Sequence, residues 1–198
     1  HGASQWASFM MLNSGSTLVM PTSRNLDPAE AWELVDREGV QSFTVVGDAM
    51  ARPLLEEFRT GRHDGSTLMV FGNGGAPFSA ALKEEILEAM PNVMVNDSVG
   101  SSETGAQASH LSVKGGVQTG KFSPGPGATV VSEDLSRVLE PGHDGIGWLA
   151  QSGSVPLGYL GDADKTARTF PTIDGVRYAV PGDRAIRRED GSIELLGR

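Results

Sequence analysis

Four short apolar runs, Thr17–Met20, Ser42–Val46, Leu68–Phe71 and Val93–Val95, are interleaved with helical patterns over the first 118 residues of a 198-residue chain. Runs this short, without polar alternation, are typical of strands buried on both faces. The stretches between them carry helix signals. Asp27-Pro28-Ala29-Glu30 supplies a cap, a proline at the first helical position and a glutamate at the third. The helix it predicts runs through Ala31, Leu34 and Val35 and stops at Gly39. Ser79 caps a second helix, with Leu82, Ile86 and Met90 on one face and Pro91 as its end. A third is expected over Ala51–Phe58, with Pro53 in its first turn. Strand and helix in alternation predict parallel strands joined by right-handed crossovers.

From about Gly120 the pattern changes. Glycine and proline gather at Ser123–Gly127, Pro141–Gly145 and Glu189–Gly191. Short strands fit between them at Ala128–Val131, Gly147–Ala150, Arg177–Val180, Arg184–Arg187 and Ser192–Leu195. One helix, Ala163–Phe170, is expected behind an Asp162 cap, with Ala167 and Phe170 facing in. The predicted fold is α/β. A partial parallel βα subdomain (1–118) is followed by a small β-rich, distorted barrel-like subdomain (119–198). No internal repeat is found.

Charge and composition narrow the function classes. The chain carries 16 Lys and Arg against 25 Asp and Glu, a net charge of −9. A field of that sign excludes a general binder of nucleic acid or of anionic membranes. The absence of cysteine excludes disulfides, thiolate catalysis and Cys-ligated zinc. No apolar run reaches the roughly 18–20 residues of a membrane span, and no signal peptide opens the chain. A cytoplasmic location is expected, with a peripheral membrane association left open. The start at His1 and the stop at Arg198 read as those of a piece of something longer. Oligomeric state is not legible.

The residues richest in chemistry are Asp97-Ser98-Val99-Gly100-Ser101-Ser102-Glu103-Thr104-Gly105. They directly follow a predicted buried strand, where open parallel sheets bind ligands. Small hydroxyl residues and glycines let backbone N–H groups approach a phosphate. Glu103 would repel that phosphate unless a divalent cation bridged them, and Mg²⁺ needs few protein carboxylates. The plain alternative is a polar turn with a solvated glutamate. A second loop, Gly72–Pro77, also follows a predicted strand and has almost no side chains, so it can lie against a planar ligand or simply turn the chain. Pro181-Gly182-Asp183 reads as a turn, and Gly158-Tyr159 through Thr166 and Phe170 as a capped helix.

Taken in order, these pieces resemble the adenylate-forming (AMP-binding) enzymes, which include acyl-CoA synthetases, firefly luciferase and nonribosomal peptide adenylation domains. Val99-Gly100-Ser101-Ser102-Glu103 is similar to the family's Tyr-Gly-x-Thr-Glu, and Gly74-Gly75-Ala76-Pro77 to its Gly-Gly-Ala-Pro. Gly158-Tyr159 through Phe170, Pro181-Gly182-Asp183 and Gly197-Arg198 resemble later family motifs, and His1 resembles an early one. The likeness is closest to synthetases acting on fatty or similarly greasy acids. It implies attack of a carboxylic acid on the α-phosphate of ATP, then passage of the acyl group to the thiol of coenzyme A. It implies that Glu103 holds Mg²⁺ and Ser102 bonds the α-phosphate. Asp97 would meet the adenine amino group, with Gly74, Gly75 and Ala76 lining the adenine slot and Ser98, Val99 and Gly100 beside it. Asp183 and Arg198 would take the ribose. His1 and Trp6 would border the acyl pocket, with Phe9 and Met10 as further wall or as plain core.

The chain departs from the family pattern at Val99, which cannot stack, at Pro181, which cannot donate, and at Trp148, where the family has a glutamate. The family's glycine-rich phosphate loop and its lysine-bearing small domain would lie outside this sequence, so the segment alone is expected not to turn over. Two other readings stay open. One is a non-catalytic nucleotide-binding or interaction module, and the other a relative that makes acyl-AMP for a carrier protein. A serine-hydrolase reading fails because Gly100-Ser101-Ser102-Glu103-Thr104 lacks the second glycine of the nucleophile elbow. His63, His110 and His143 are expected on the surface, as are Glu56-Glu57 and Glu84-Glu85. Arg184, Arg187 and Arg188 read as surface charge or a contact for a coenzyme A phosphate.

Overall fold

A computed structural model of the chain describes residues 2–197. Its elements are α1 (Gly2–Asn13), α2 (Pro28–Glu38), β1 (Ser42–Val45), α3 (Asp48–Phe58), β2 (Val70–Gly74), α4 (Ala80–Ala89) and β3 (Met94–Ser101). They continue as β4 (Gly105–Ser112), β5 (Lys121–Pro124), β6 (Ala128–Ser132), β7 (Gly147–Ser152), α5 (Ala163–Thr169), β8 (Thr172–Ile173), β9 (Val176–Ala179), β10 (Arg184–Arg187) and β11 (Ile193–Gly197). The α/β class expected from the sequence is the one observed. Two compact units form. The first takes the chain up to Asp97 together with Leu111–Thr119; the second takes Ser98–His110 together with the chain from Gly120 onward.

In the first unit β1 and β2 pair in parallel, from Ser42 opposite Val70 to Val45 opposite Asn73, and β3 lies next to β2. Helix α2 forms where its caps predict. The Asp27 side chain accepts from the N–H groups of Ala29 and Glu30, and Gly39 closes the helix at φ 65°. Glu30 does not complete a capping box. Its carboxylate accepts from the Thr22 N–H at 2.7 Å and the Thr22 hydroxyl at 2.5 Å. Those two bonds hold its pKa down to about 2. The apolar faces of α2, α3 and α4 bury Trp32, Leu55, Leu82 and Ile86 against Phe71 of β2. Each such side chain contributes about 1.5–3 kcal/mol when removed from water. The Trp32 indole N–H is satisfied by the Leu54 carbonyl at 2.8 Å.

Several expectations for this unit fail, each for a local reason. Thr17–Met20 is irregular and largely exposed, since an apolar run needs a neighbouring strand to become one. Helix α3 starts at Asp48, because the Gly47 carbonyl already accepts from Met50 and Ala51. Pro53 therefore lies past the first turn and leaves the helix one N–H short. The α3 residue Glu57 is not a solvated glutamate, and His63 is not on the surface. The two side chains bond at 2.8 Å with only 14% and 7% of their surfaces exposed, and His63 stacks on Trp32 at 6.3 Å. The hydrogen bond from His63 lowers the Glu57 pKa against the opposing effect of burial.

The second unit is an antiparallel sheet in the order β4-β5-β11-β10-β7-β9-β8, with β6 also on β7. The five expected strands appear as β6, β7, β9, β10 and β11. Strands β4, β5 and β8 were not expected. Gly105-Ala-Gln-Ala-Ser-His-Leu-Ser has little strand propensity, and its pairing between β3 and β5 makes it a strand. Val130, Leu149, Ala185 and Ile193 form one buried cluster, with Val99 packed against it. The Asp162 cap of α5 accepts from the Lys165 N–H, and Phe170 is buried as predicted. Ala167 instead faces solvent, because a two-turn helix here buries none of its own residues.

Candidate active-site residues

The first unit presents a buried polar network behind the Gly74-Gly75-Ala76 segment. Gly74 ends β2 rather than opening a loop, so the turn into α4 is only Gly75–Ser79. Asn73, just before it, is 2% exposed. Its Nδ2 donates to Asp97 Oδ1 at 2.7 Å and to the Ala76 carbonyl at 3.0 Å. Its Oδ1 accepts from the Gly47 N–H at 2.7 Å. Lys83 of α4 donates from Nζ to Asp97 Oδ2 at 2.7 Å and to the Gln118 carbonyl at 2.8 Å. Lys83 is completely buried, and the ion pair compensates its charge. The sequence singled out Asp97 but neither of its partners. The available signal was a lysine set between Leu82 and Ile86 on the apolar face of a helix.

In the second unit β3 continues through Ser98, Val99, Gly100 and Ser101, so these are strand residues and not the loop expected after a short strand. The reversal is confined to Ser102–Thr104, after which β4 returns. Gly100 is required there, since a Cβ would stand 2.1 Å from the Gly105 carbonyl oxygen. Ser101 organises the turn. Its N–H donates to Thr104 Oγ1 at 3.0 Å, and its hydroxyl accepts from the Glu103 N–H at 3.2 Å. Ser102 is exposed at the apex.

Glu103 is held from the side. Tyr159 Oη donates to Glu103 Oε1 at 2.5 Å, while the Tyr159 N–H donates to Thr166 Oγ1 at 2.8 Å. The Tyr159 ring lies 5.6 Å from that of Phe170, under Lys165 Nζ at 4.0 Å. Burial pulls the Glu103 pKa up, but bonds from Tyr159, its own N–H and Ser101 outweigh it, and the net shift is downward. Burial and the same bond push the Tyr159 phenol up. The sequence pointed to both residues but not to their contact.

Asp183 lies half-buried between β9 and β10, where its carbonyl accepts from the Leu149 N–H at 2.8 Å. The arginines near it are engaged. Arg184 pairs with Glu133, Arg187 donates to Thr129 and the Leu139 carbonyl, and Arg188 pairs with Glu194. Trp6, Phe9 and Met10 share α1 and are 51%, 63% and 58% exposed in this segment. His1 and Arg198 lie outside the described residues. Among the described residues no three metal-binding side chains cluster, and no helix is long and apolar enough to cross a membrane.

The family model described as "AMP-binding enzyme" matches residues 1–160. The chain is 55% identical to the medium-chain acyl-CoA ligase Mig of Mycobacterium avium over 199 residues, covering all of this chain and 36% of that protein. It is 41% identical to a medium/long-chain-fatty-acid–CoA/3-oxocholest-4-en-26-oate–CoA ligase of Mycolicibacterium smegmatis, again over the whole chain and 37% of that protein. The chain thus spans little more than a third of these relatives. Among solved structures, the nonribosomal peptide synthetase FmoA3 superposes with a TM-score of 0.85 at 28% identity, over all of this chain and 22% of that one. PA1221, which contains adenylation and carrier domains, superposes at 0.80 with 21% identity, over all of this chain and 41% of that one, a likeness of fold. With residues 1–160 matched and more than half of all positions shared with one ligase, this chain belongs to the AMP-binding enzyme family.

Proposed function

We propose that the chain is the central segment of an ATP-dependent acyl-CoA synthetase acting on a fatty or similarly apolar carboxylic acid. The observation that carries this reading is the 55% identity, along the whole chain, to a medium-chain acyl-CoA ligase. In the reaction the acid's carboxylate oxygen bonds to the α-phosphorus of ATP and pyrophosphate leaves. The coenzyme A thiol then attacks the acyl carbon, and AMP leaves. Glu103 would hold Mg²⁺, which supplies charge neutralisation for the phosphates. Ser102 would donate its hydroxyl to the α-phosphate. Asp97 would accept from the adenine amino group beside Gly74, Gly75 and Ala76, with Ser98, Val99 and Gly100 continuing the same strand. Asp183 is acceptor-only and suits two ribose hydroxyls, with Arg198 as a donor. His1 and Trp6 would border the acyl chain, and the exposed apolar side chains of α1 fit that role.

The test is acyl-CoA formation by the whole protein with ATP, Mg²⁺, coenzyme A and a panel of medium-chain, long-chain and sterol side-chain acids, read by mass spectrometry. Thioester from at least one acid is expected, and no pyrophosphate release is expected from the 198-residue segment alone. Acyl-AMP without thioester would point to a carrier-protein acceptor. Nucleotide binding without either product would favour the non-catalytic module, to which Val99 and Pro181 lean, since one cannot stack on adenine and the other lacks an N–H.

A further inference from the structure

Asp97 is a buried carboxylate of the first unit, and each of its oxygens has a different donor. Oδ1 takes the Asn73 amide at 2.7 Å, and Oδ2 takes the Lys83 ammonium at 2.7 Å. Neither donor is free to move. Lys83 is fully buried and spends a second proton on the Gln118 carbonyl at 2.8 Å. The Asn73 amide is oriented from both ends, because its Oδ1 accepts from the Gly47 N–H while its Nδ2 also reaches the Ala76 carbonyl. Gly47 sits at φ 67°, where a Cβ would come within 2.7 Å of the Pro77 carbonyl oxygen. Asn73 thus ties the Asp97 carboxylate and the Ala76-Pro77 turn to one fixed point. A carboxylate has about four acceptor positions, and two are spent here. Rotation of the group would break both bonds, so the remaining positions point in set directions. The Asp97 side chain keeps 8% of its surface exposed.

We propose that Lys83 and Asn73 are positioning residues for Asp97. By holding one oxygen each, they fix the carboxylate so that its remaining acceptor positions select a purine with an amino group at C6 over one with a carbonyl there. The inference rests on the reading that Asp97 faces adenine. The chemistry of discrimination is that of acceptor meeting donor. An amino group satisfies the carboxylate, whereas a carbonyl oxygen would set two acceptors against each other.

The experiment compares AMP with IMP by calorimetry on the whole protein, as the parent and as Lys83→Met and Asn73→Ala. Both nucleotides read the same folded fraction, so their affinity ratio is insensitive to a loss of stability. The parent is expected to prefer AMP about tenfold or more, the scale of one charge-assisted hydrogen bond. Each variant is expected to lose most of that preference, with IMP affinity changed less than about twofold. Lowered thermal stability with the preference intact would overturn the proposal and leave both residues as structural. If Lys83→Met does not fold, Asn73→Ala decides by the same ratio. A parent that binds both nucleotides alike, or neither, would overturn the adenine reading of Asp97 itself, an outcome distinct from a preference that survives the substitutions.

Discussion

Tyr159 donates its phenol to Glu103 at 2.5 Å, joining the segment before α5 to the turn between β3 and β4 within the second unit. Because the Glu103 pKa is depressed in the folded state, this contact stabilises the protein above the unfolded glutamate value. The contribution is lost as pH falls through the folded value. Tyr159→Phe removes one donor, so burial is opposed only by the turn's own bonds and by the charge of Lys165. The variant should melt below the parent at neutral pH, and the gap should narrow once pH drops below about 4, the ordinary glutamate range. Thermal unfolding of both proteins across pH checks this. A gap equal at acid and neutral pH would mean that the phenol acts through packing alone.

Glu103→Gln keeps the shape and an oxygen for Tyr159 but removes the charge. The whole protein should fold normally, while Mg²⁺-dependent pyrophosphate release falls by about 100-fold or more, the usual loss for one electrostatic group at a reacting phosphate. AMP affinity without metal should change less than about twofold. Undiminished pyrophosphate release would remove Glu103 from the metal site.

Gln107 on β4 is fully buried, and neither amide atom has a hydrogen-bond partner among the described residues. An unsatisfied buried amide costs about 1–3 kcal/mol. Gln107→Met, with similar volume and no strong polar atom, should leave stability unchanged or raise it by about 1 kcal/mol in urea unfolding. A loss of about 2 kcal/mol or more would reveal an ordered water satisfying the amide.

Gly100→Ala would push a methyl group to 2.1 Å from the Gly105 carbonyl oxygen, a backbone atom that cannot swing aside. A destabilisation of about 2–4 kcal/mol is expected, at the upper end of the usual range for single substitutions. Equilibrium unfolding measures it. A variant as stable as the parent would show that the β3–β4 turn has room to open.

What could be read from the sequence was what neighbours in the chain decide. The Asp27 cap, the Gly39 stop, the Ser79 cap and the Asp162 cap all act within four residues, and all four helix ends appear where their chemistry puts them. The extension of β3 through Asp97–Ser101 was not legible, because serine and glycine carry no strand signal until a partner strand supplies the ladder. The same holds for the candidate site. Asp97, Glu103 and Tyr159 stand out as residue types in a pattern. Their contacts with Lys83, Asn73 and each other join positions 14, 24 and 56 residues apart, which local chemistry does not specify. His63 was misread for a related reason. Its burial depends on stacking with Trp32, far away in sequence, and on Glu57 beyond the reach of a local cap.

The chain passes between its two compact units after Asp97, after His110 and after Thr119. No single cut in the gene can therefore release either unit whole. A truncation placed in chain order strands a piece of one unit on the other. Removing Leu111–Thr119 would also take away the Gln118 carbonyl, one of the two acceptors for the buried ammonium of Lys83. A continuous first unit would instead require Asp97 to be joined directly to Leu111, with Ser98–His110 left out, rather than trimming from either terminus.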